Sequence, residues 1–186
     1  MKTFLTALRL FAVLTVLTGV LYPLAVTALA RVAFPAQAGG SLVNNAVGAP
    51  TGSALLAQAT TSPRYFWPRP SAADYATVAS GASNAAPTSA ALRDAIAARA
   101  SALRAAHHLA PDTPVPADLL MTSGSGLDPH LSPASAAFQA ARVAAARQLP
   151  LSTVTAAIAA HTEPGDLLGE DRVNVLLLNL ALDQSD

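Results

Sequence analysis

Residues Leu10 to Ala30 read LFAVLTVLTGVLYPLAVTALA and contain no charged side chain over 21 positions. As an α-helix this stretch would extend about 31 Å at roughly 1.5 Å per residue. That length matches the hydrocarbon core of a bilayer, which is about 30 Å thick. Pro23 removes one helical hydrogen bond mid-span, which membrane helices tolerate. The stretch predicts one transmembrane helix over residues 10–32, preceded by a short tail, residues 1–9.

The basic residues around this stretch predict its orientation. Lys2 and Arg9 precede it, together with the N-terminal amine, whereas Arg31 alone follows closely. Because positive charge is retained on the cytoplasmic side, we expect a cytoplasmic N-terminus and an outer location for the rest of the chain. Residues 33–186 then present 8 arginines and 11 acidic residues outside the cytoplasm, a net charge of −3.

A cleaved signal peptide is the alternative interpretation of the same stretch. Ala28-Leu29-Ala30 and Ala36-Gln37-Ala38 both have the small-residue pattern of a cleavage site. Cleavage would release a secreted periplasmic domain. The apolar run is longer than the 7–15 residues or so of an ordinary signal peptide, which favours a retained anchor.

Composition excludes several classes of protein. The whole chain has 11 basic and 11 acidic residues and a formal charge of zero, with no basic cluster of the kind that binds nucleic acid. Cysteine is absent, so the chain has no disulfide, thiolate metal site or cysteine nucleophile. We therefore expect no nucleic-acid partner.

The sequence after the anchor predicts a linker and a small α+β domain. Residues 33–53 are rich in Gly, Ala, Asn and Pro, which is typical of a linker before a domain at 54–186. Residues 172–183 are strongly apolar with a β-branched start, which favours a buried strand over a helix. Helices and strands do not alternate regularly, which favours an α+β fold. The other predicted elements are a strand near Ala54–Gln58 and helices over Ser89–His108, Pro133–Gln148 and Ser152–Ala160.

Two loops stand out within this domain. Residues 62–71 read SPRYFWPRPS, and their prolines and aromatic residues predict an extended loop that anchors to the core. Residues 123–133 read SGSGLDPHLSP. Their Ser, Asp and His would suit a hydrolase, but Ser123 stands where the G-x-S-x-G turn around Ser125 requires glycine. A Gly/Ser turn held by Asp128 is the preferred interpretation. We expect no catalytic residue and no metal ligand.

Several motifs, taken in order along the chain, resemble one family. They are Tyr22-Pro23, residues 65–71 (YFWPRPS), residues 80–84 (SGASN), residues 115–119 (VPADL), residues 123–133, Gln139 with residues 142–144 (RVA), His161-Thr162, residues 173–176 (VNVL) and residues 178–183 (LNLALD). Together they resemble the KdpC family, the C subunit of the Kdp potassium-transporting P-type ATPase.

The resemblance implies a non-catalytic accessory subunit in a complex that imports K⁺ at the expense of ATP. The family is described as a catalytic chaperone that raises the ATP affinity of the hydrolysing subunit, and is often called ATP-binding. Implied partners are a channel-like potassium-binding subunit, the P-type ATPase subunit and a small single-helix subunit in the cell inner membrane. We expect no firmly bound cofactor, because the complex handles ATP and K⁺ and residues 33–186 face the periplasm, away from ATP.

The same motifs supply the candidate residues. Those for a structural or functional motif are Ser123, Gly124, Ser125, Gly126, Asp128, Asn174 and Asn179. Those for contacts with partner subunits are Tyr22, Pro23, Tyr65, Phe66, Trp67 and Arg69.

Overall fold

A computed structural model describes residues 1–45 and 47–184 of the chain. The chain divides into two compact units, Met1–Leu42 and Val43–Asp186. Together they confirm the predicted α+β class and the apolar N-terminal helix.

The first unit is a helix that runs continuously from Lys2 to Ala33 and is long and apolar enough to cross a membrane. It begins well before the predicted membrane segment at residue 10. Its parts are α1 (Lys2–Val16), a π-helical turn (Leu17–Leu21) and α2 (Tyr22–Ala33), followed by one short helix, α3 (Pro35–Ala38). The π-helical turn ends two residues before Pro23, whose ring would clash with the carbonyl four residues earlier in a regular α-helix. The wider turn therefore accommodates the proline.

Two short strands, β1 (Leu42–Asn44), which begins on the last residue of the first unit, and β2 (Pro50–Ser53), form a two-stranded sheet. Thus the predicted linker, 33–53, contains regular elements. The strand predicted near Ala54–Gln58 is wrong, because the chain turns there. The Ser53 hydroxyl accepts a hydrogen bond from the Leu55 amide, and the Ser53 carbonyl accepts one from the Leu56 amide.

The predicted helices are confirmed, with small shifts at their ends. They are α4 (Ala90–Ala106), α5 (Pro133–Arg147) and α6 (Leu151–Ala160). The Ser89 and Ser132 hydroxyls cap α4 and α5 by accepting bonds from the Leu92 and Ser135 amides. Gln148 ends α5 in the left-handed conformation, two residues before Pro150. Residues 116–121 contain a 3₁₀ turn (Ala117–Leu119).

The last predicted strand is wrong for most of its length. Only β5 (Arg172–Asn174) is extended, and Val175–Asp183 forms helix α7. The switch occurs at Asn174, whose side-chain oxygen accepts the Leu177 amide at 3.1 Å and so acts as an N-cap. The apolar run is therefore a buried helix.

A small antiparallel sheet brings distant segments together. β5 is its central strand, between β3 (His130–Leu131) and β4 (Thr162–Glu163). His130 pairs with Asn174, and Thr162 pairs with Val173. Helix α5 contacts β3 and β5, which places the residues before α5 beside the start of α7.

The hydrophobic core lies between this sheet and helices α5, α6 and α7. Ala136, Ala140 and Ala144 give α5 a small-residue face, which lets α6 pack closely with Val154 and Ile158. Phe66 is the largest fully buried side chain in the described residues, although it belongs to a loop. Burial of such a side chain contributes about 1.5–3 kcal/mol.

Candidate functional site

The aromatic loop, residues 62–71, is held against α5 and α7 by side chains. Asn179 on α7 accepts a hydrogen bond from the Phe66 amide at 2.7 Å and donates one to the Phe66 carbonyl at 3.0 Å. Gln139 on α5 does the same for the next residue, accepting from the Trp67 amide at 2.8 Å and donating to its carbonyl at 3.0 Å. Two carboxamides thus take the place of a neighbouring strand.

Two arginines of α5 complete this attachment. Arg142 donates to the Pro63 and Tyr65 carbonyls at 2.6 and 3.1 Å, and its guanidinium lies 4.0 Å from the Trp67 ring centroid. Burial lowers the pKa of Arg142 to about 10, so it remains charged at neutral pH. Arg147 donates to the Arg64 carbonyl at 2.7 Å and to the Asp183 carboxylate at 2.8 Å. The backbone from residue 63 to residue 67 therefore has side-chain partners on two helices.

The residues predicted to contact partner subunits differ in how far they are exposed. Phe66 is 0% exposed and packs inside the core, whereas Tyr65 and Trp67 are half-buried and reach the surface. The Tyr65 hydroxyl donates to the Asp183 carboxylate at 3.2 Å. Burial and the neighbouring Asp183 carboxylate raise the pKa of Tyr65, so the hydroxyl stays protonated. Tyr22 and Pro23 lie on α2, where Tyr22 is exposed.

Residues 123–128 form a turn closed by backbone contacts. The Ser123 amide donates to the Pro70 carbonyl at 3.2 Å, and the Ser125 carbonyl accepts the Gly81 amide at 2.9 Å. Gly126 has a φ of +70°, and a Cβ there would lie 2.9 Å from the Gly81 carbonyl oxygen. Gly124 has open space around it. Glycine is therefore required at position 126 and not at 124.

Asp128 joins this turn to the aromatic loop. Its carboxylate forms an ion pair with Arg69 at 2.9 Å and accepts the His130 amide at 3.0 Å. The Ser125 hydroxyl accepts the Leu127 amide at 3.1 Å. These polar groups hold one another in place. The hydrogen bonds are those expected for a Gly/Ser turn held by Asp128.

A polar groove of about 630 Å³ opens beside Asp128. The Asp118 carboxylate on its wall accepts hydrogen bonds from the Ser132 amide at 3.0 Å and from the Ser135 hydroxyl. Burial raises the pKa of Asp118, but these bonds outweigh burial and leave it below the ordinary value. Charged or titratable groups lining the groove are Arg69, Asp118, Asp128, His130, Glu170, Asp171 and Arg172.

Asn174 connects the turn to α7. Its side-chain nitrogen donates to the Ala54 carbonyl at 2.8 Å, while its oxygen caps α7. The next amide, from Val175, donates to the Pro129 carbonyl at 2.9 Å. The candidate residues of the domain therefore meet around one junction of loops, α5 and α7.

Comparison with known proteins identifies the family. The sequence model of KdpC, described as the K⁺-transporting ATPase c chain, matches residues 4–184. The chain is 54% identical to the potassium-transporting ATPase KdpC subunit of Pseudomonas savastanoi pv. phaseolicola, over 96% of this chain and 91% of the relative. The corresponding protein of Rhodospirillum rubrum is 54% identical over 99% and 96%. The one of Sorangium cellulosum is 56% identical over 95% of each.

The chain belongs to the KdpC family. This membership confirms the resemblance predicted from the motifs, and the relatives are all named as subunits of a potassium-transporting ATPase. It does not favour a secreted hydrolase.

Several residues of this KdpC-family domain form the hydrogen bonds that hold the site together, although they were not predicted as site residues. Gln139, Arg142, Arg147 and Asp183 hold the aromatic loop, and Asp118 fastens the start of α5. A signal for two of them exists in the sequence. Arg142 and Arg147 interrupt the alanine-rich α5 and are almost fully buried, and a buried arginine needs specific partners.

His107, at the end of α4, is another residue that sequence analysis did not single out as part of the site. Its Nε2 accepts a hydrogen bond from Arg142 at 3.3 Å, and its ring lies 4.8 Å from that of Phe138. Burial first, and then the charges of Arg142 and His108, lower the pKa of His107 to about 4. A neutral His107 therefore supports Arg142 at neutral pH.

Replacement of Gly126 tests the turn. Gly126→Ala should lower the free energy of unfolding by about 1–3 kcal/mol, because alanine is strained at this φ and its Cβ meets a carbonyl. Gly124→Ala is the matched control and should unfold like the parent. The measurement is denaturant unfolding of the full chain in detergent, followed by fluorescence of Trp67, the single tryptophan. An equal decrease in the free energy of unfolding in both variants would contradict the specific requirement for glycine at position 126.

The low pKa of His107 predicts a pH dependence of stability. The folded pKa is depressed from 6.5 to about 4, so the unfolded state binds the proton more readily. Neutral His107 therefore contributes to the free energy of unfolding. This contribution is fully present above the pKa of the unfolded state and is lost as pH falls toward the pKa of the folded state. After allowance for solvent screening of a half-buried ring, the loss should be on the order of 1–2 kcal/mol.

His107→Gln keeps an acceptor for Arg142 but has no proton to gain. It should flatten the unfolding free energy between about pH 6.5 and pH 4 relative to the parent chain. A parent and variant with the same slope over that interval would show that His107 does not cause the acid loss.

Proposed function

We propose that this chain is the non-catalytic accessory subunit of the high-affinity, ATP-driven potassium import complex, Kdp. The observation that carries this proposal is the KdpC-family match over residues 4–184, together with one apolar N-terminal helix, Lys2–Ala33. The relatives' names supply the activity of the complex, potassium transport coupled to ATP. The proposed location is the cell inner membrane, crossed once.

The orientation in this proposal follows from charge. Lys2 and Arg9 stay in the cytoplasm with the N-terminus, and the domain after Arg31 lies in the periplasm. ATP is cytoplasmic, so the periplasmic domain does not touch it. The partner subunits then handle both ATP and K⁺, and this chain holds no cofactor of its own.

The polar geometry supports a scaffolding role. Gln139, Arg142 and Asn179 are used to fasten a loop inside the domain, which stiffens the domain. A stiff domain with an anchor suits the assembly of a channel-like subunit, a P-type ATPase subunit and a small single-helix subunit. The family is described as a catalytic chaperone that raises the ATP affinity of the hydrolysing subunit. In this proposal the chain exerts that effect through contacts between membrane helices.

Contacts with these partners are proposed at two places. Tyr22 and Pro23 lie on α2 next to the π-helical turn, where an irregular helix surface can fit a neighbouring helix. In the domain, Tyr65, Trp67 and Arg69 reach the surface, while Phe66 holds the loop from inside.

Protease digestion of sealed spheroplasts that carry the complete complex tests this function and orientation. External protease should degrade a tag after the domain, while a tag before Lys2 should survive, and the chain should co-purify with the channel-like and ATPase subunits. The ATPase assembled without this chain should need more ATP for half-maximal rate. A protected domain would overturn the orientation, and a mature chain lacking residues 1–30 would instead support the secreted alternative.

A further inference from the structure

The loop between β4 and β5, residues 164–171, carries an exposed pair of apolar side chains. Leu167 is 97% exposed and Leu168 is 96% exposed. The other large apolar side chains of the sheet region are buried, as Leu131 and Val173 are. Two adjacent leucines in full contact with water mark an interaction surface.

Internal contacts give this loop a defined shape. The Gly165 amide donates to the Asp171 carboxylate at 2.8 Å, and the Leu168 amide donates to the Asp166 carboxylate at 3.1 Å. Gly165 lies so close to Gly169 that a Cβ on it would be 2.1 Å from the Gly169 carbonyl oxygen. The base of the loop is therefore pinched closed, and the two leucines project from a small, ordered turn.

Acidic residues flank the leucine pair in the sequence. Asp166, Glu170 and Asp171 lie in the same loop, and Glu163 precedes it in β4, paired with Arg172 at 3.0 Å. Glu170 and Asp171 also line the polar groove, as do Asp118, Asp128, Arg69 and Arg172. The groove has more carboxylates than guanidinium groups, and Glu170, two residues after Leu168, belongs to its lining.

We propose that Leu167 and Leu168 insert into an apolar depression on another protein subunit of the complex, bordered by lysine or arginine side chains that face Glu170 and the groove. The inference rests on the proposed function. The charge pattern favours this occupant, because an acidic border is repelled by any anionic lipid headgroup at the membrane surface. A second copy of the chain would bring the same acidic border against itself.

Double replacement of the leucines tests this surface in the complete complex. Leu167→Ser with Leu168→Ser should reduce the amount of chain that co-purifies with its partner subunits about tenfold. The side chains are exposed, so the unfolding midpoint of the purified chain should not change. Val78→Ser is the matched control, since Val78 is 101% exposed in another loop of the same domain, and it should assemble normally.

Two further variants separate apolar contact from charge. Leu167→Met with Leu168→Met keeps an apolar tip and should restore assembly. Glu170→Lys should weaken assembly at low salt, because it brings like charges together, and the deficit should shrink as salt rises. A Glu170→Lys complex that assembles like the parent at low salt would overturn the charge part of the proposal.

Photo-crosslinking identifies what covers the loop. With Leu168→p-benzoylphenylalanine, the proposal expects a crosslink to one of the other protein subunits. A crosslink to lipid, or to a second copy of this chain, would overturn it. A leucine double variant that co-purifies like the parent would also overturn it while leaving the accessory function intact. Failure of the parent chain itself to co-purify would count against the proposed function.

Discussion

The backbone of residues 63–67 has to be paired without a neighbouring strand, and this requirement organises the domain. Buried amides and carbonyls that lack partners are costly, yet Phe66 is fully buried. Asn179 and Gln139 solve the problem with paired hydrogen bonds to two successive residues, and Arg142 takes two more carbonyls. The loop thereby connects α5 to α7, and its aromatic side chains fill the space between the helices and the small sheet.

This attachment explains why so many polar residues of the domain are occupied in structure. Gln139 also accepts from Arg142, which in turn donates to His107, so one network extends from α7 through the loop to the end of α4. The Arg69–Asp128 pair ties the loop to the turn at residues 123–128. The contacts proposed for partner subunits lie on the outer surface of the domain, at Tyr65, Trp67 and Arg69 and at the leucine pair of the β4–β5 loop. A rigid interior with an exposed apolar tip suits a subunit that works by contact.

Much of the helical structure could be predicted from sequence, because local signals determine it. Ser89 and Ser132 cap α4 and α5 at the starts predicted for these helices. The strand predicted across residues 172–183 was wrong because the sequence does not show where β5 ends. Asn174 is both the last residue of β5 and the N-cap of α7. Strands of two or three residues carry no readable alternation. The hydrogen bonds between Asn179 and Phe66 join residues 113 positions apart, and no local sequence pattern encodes such a contact. The ordered motifs, in contrast, were sufficient to predict the family.

The central claim is that side chains, in place of a neighbouring strand, hold the aromatic loop. Hydrogen exchange of backbone amides in the intact chain, detected by NMR, tests it most directly. The Phe66 and Trp67 amides should exchange as slowly as that of Val143 in the core helix α5. Exchange of these amides requires that their hydrogen bonds to Asn179 and Gln139 break. The amide of Val78, in an exposed loop, should exchange rapidly. Exchange of the Phe66 and Trp67 amides at the rate of Val78 would contradict the account.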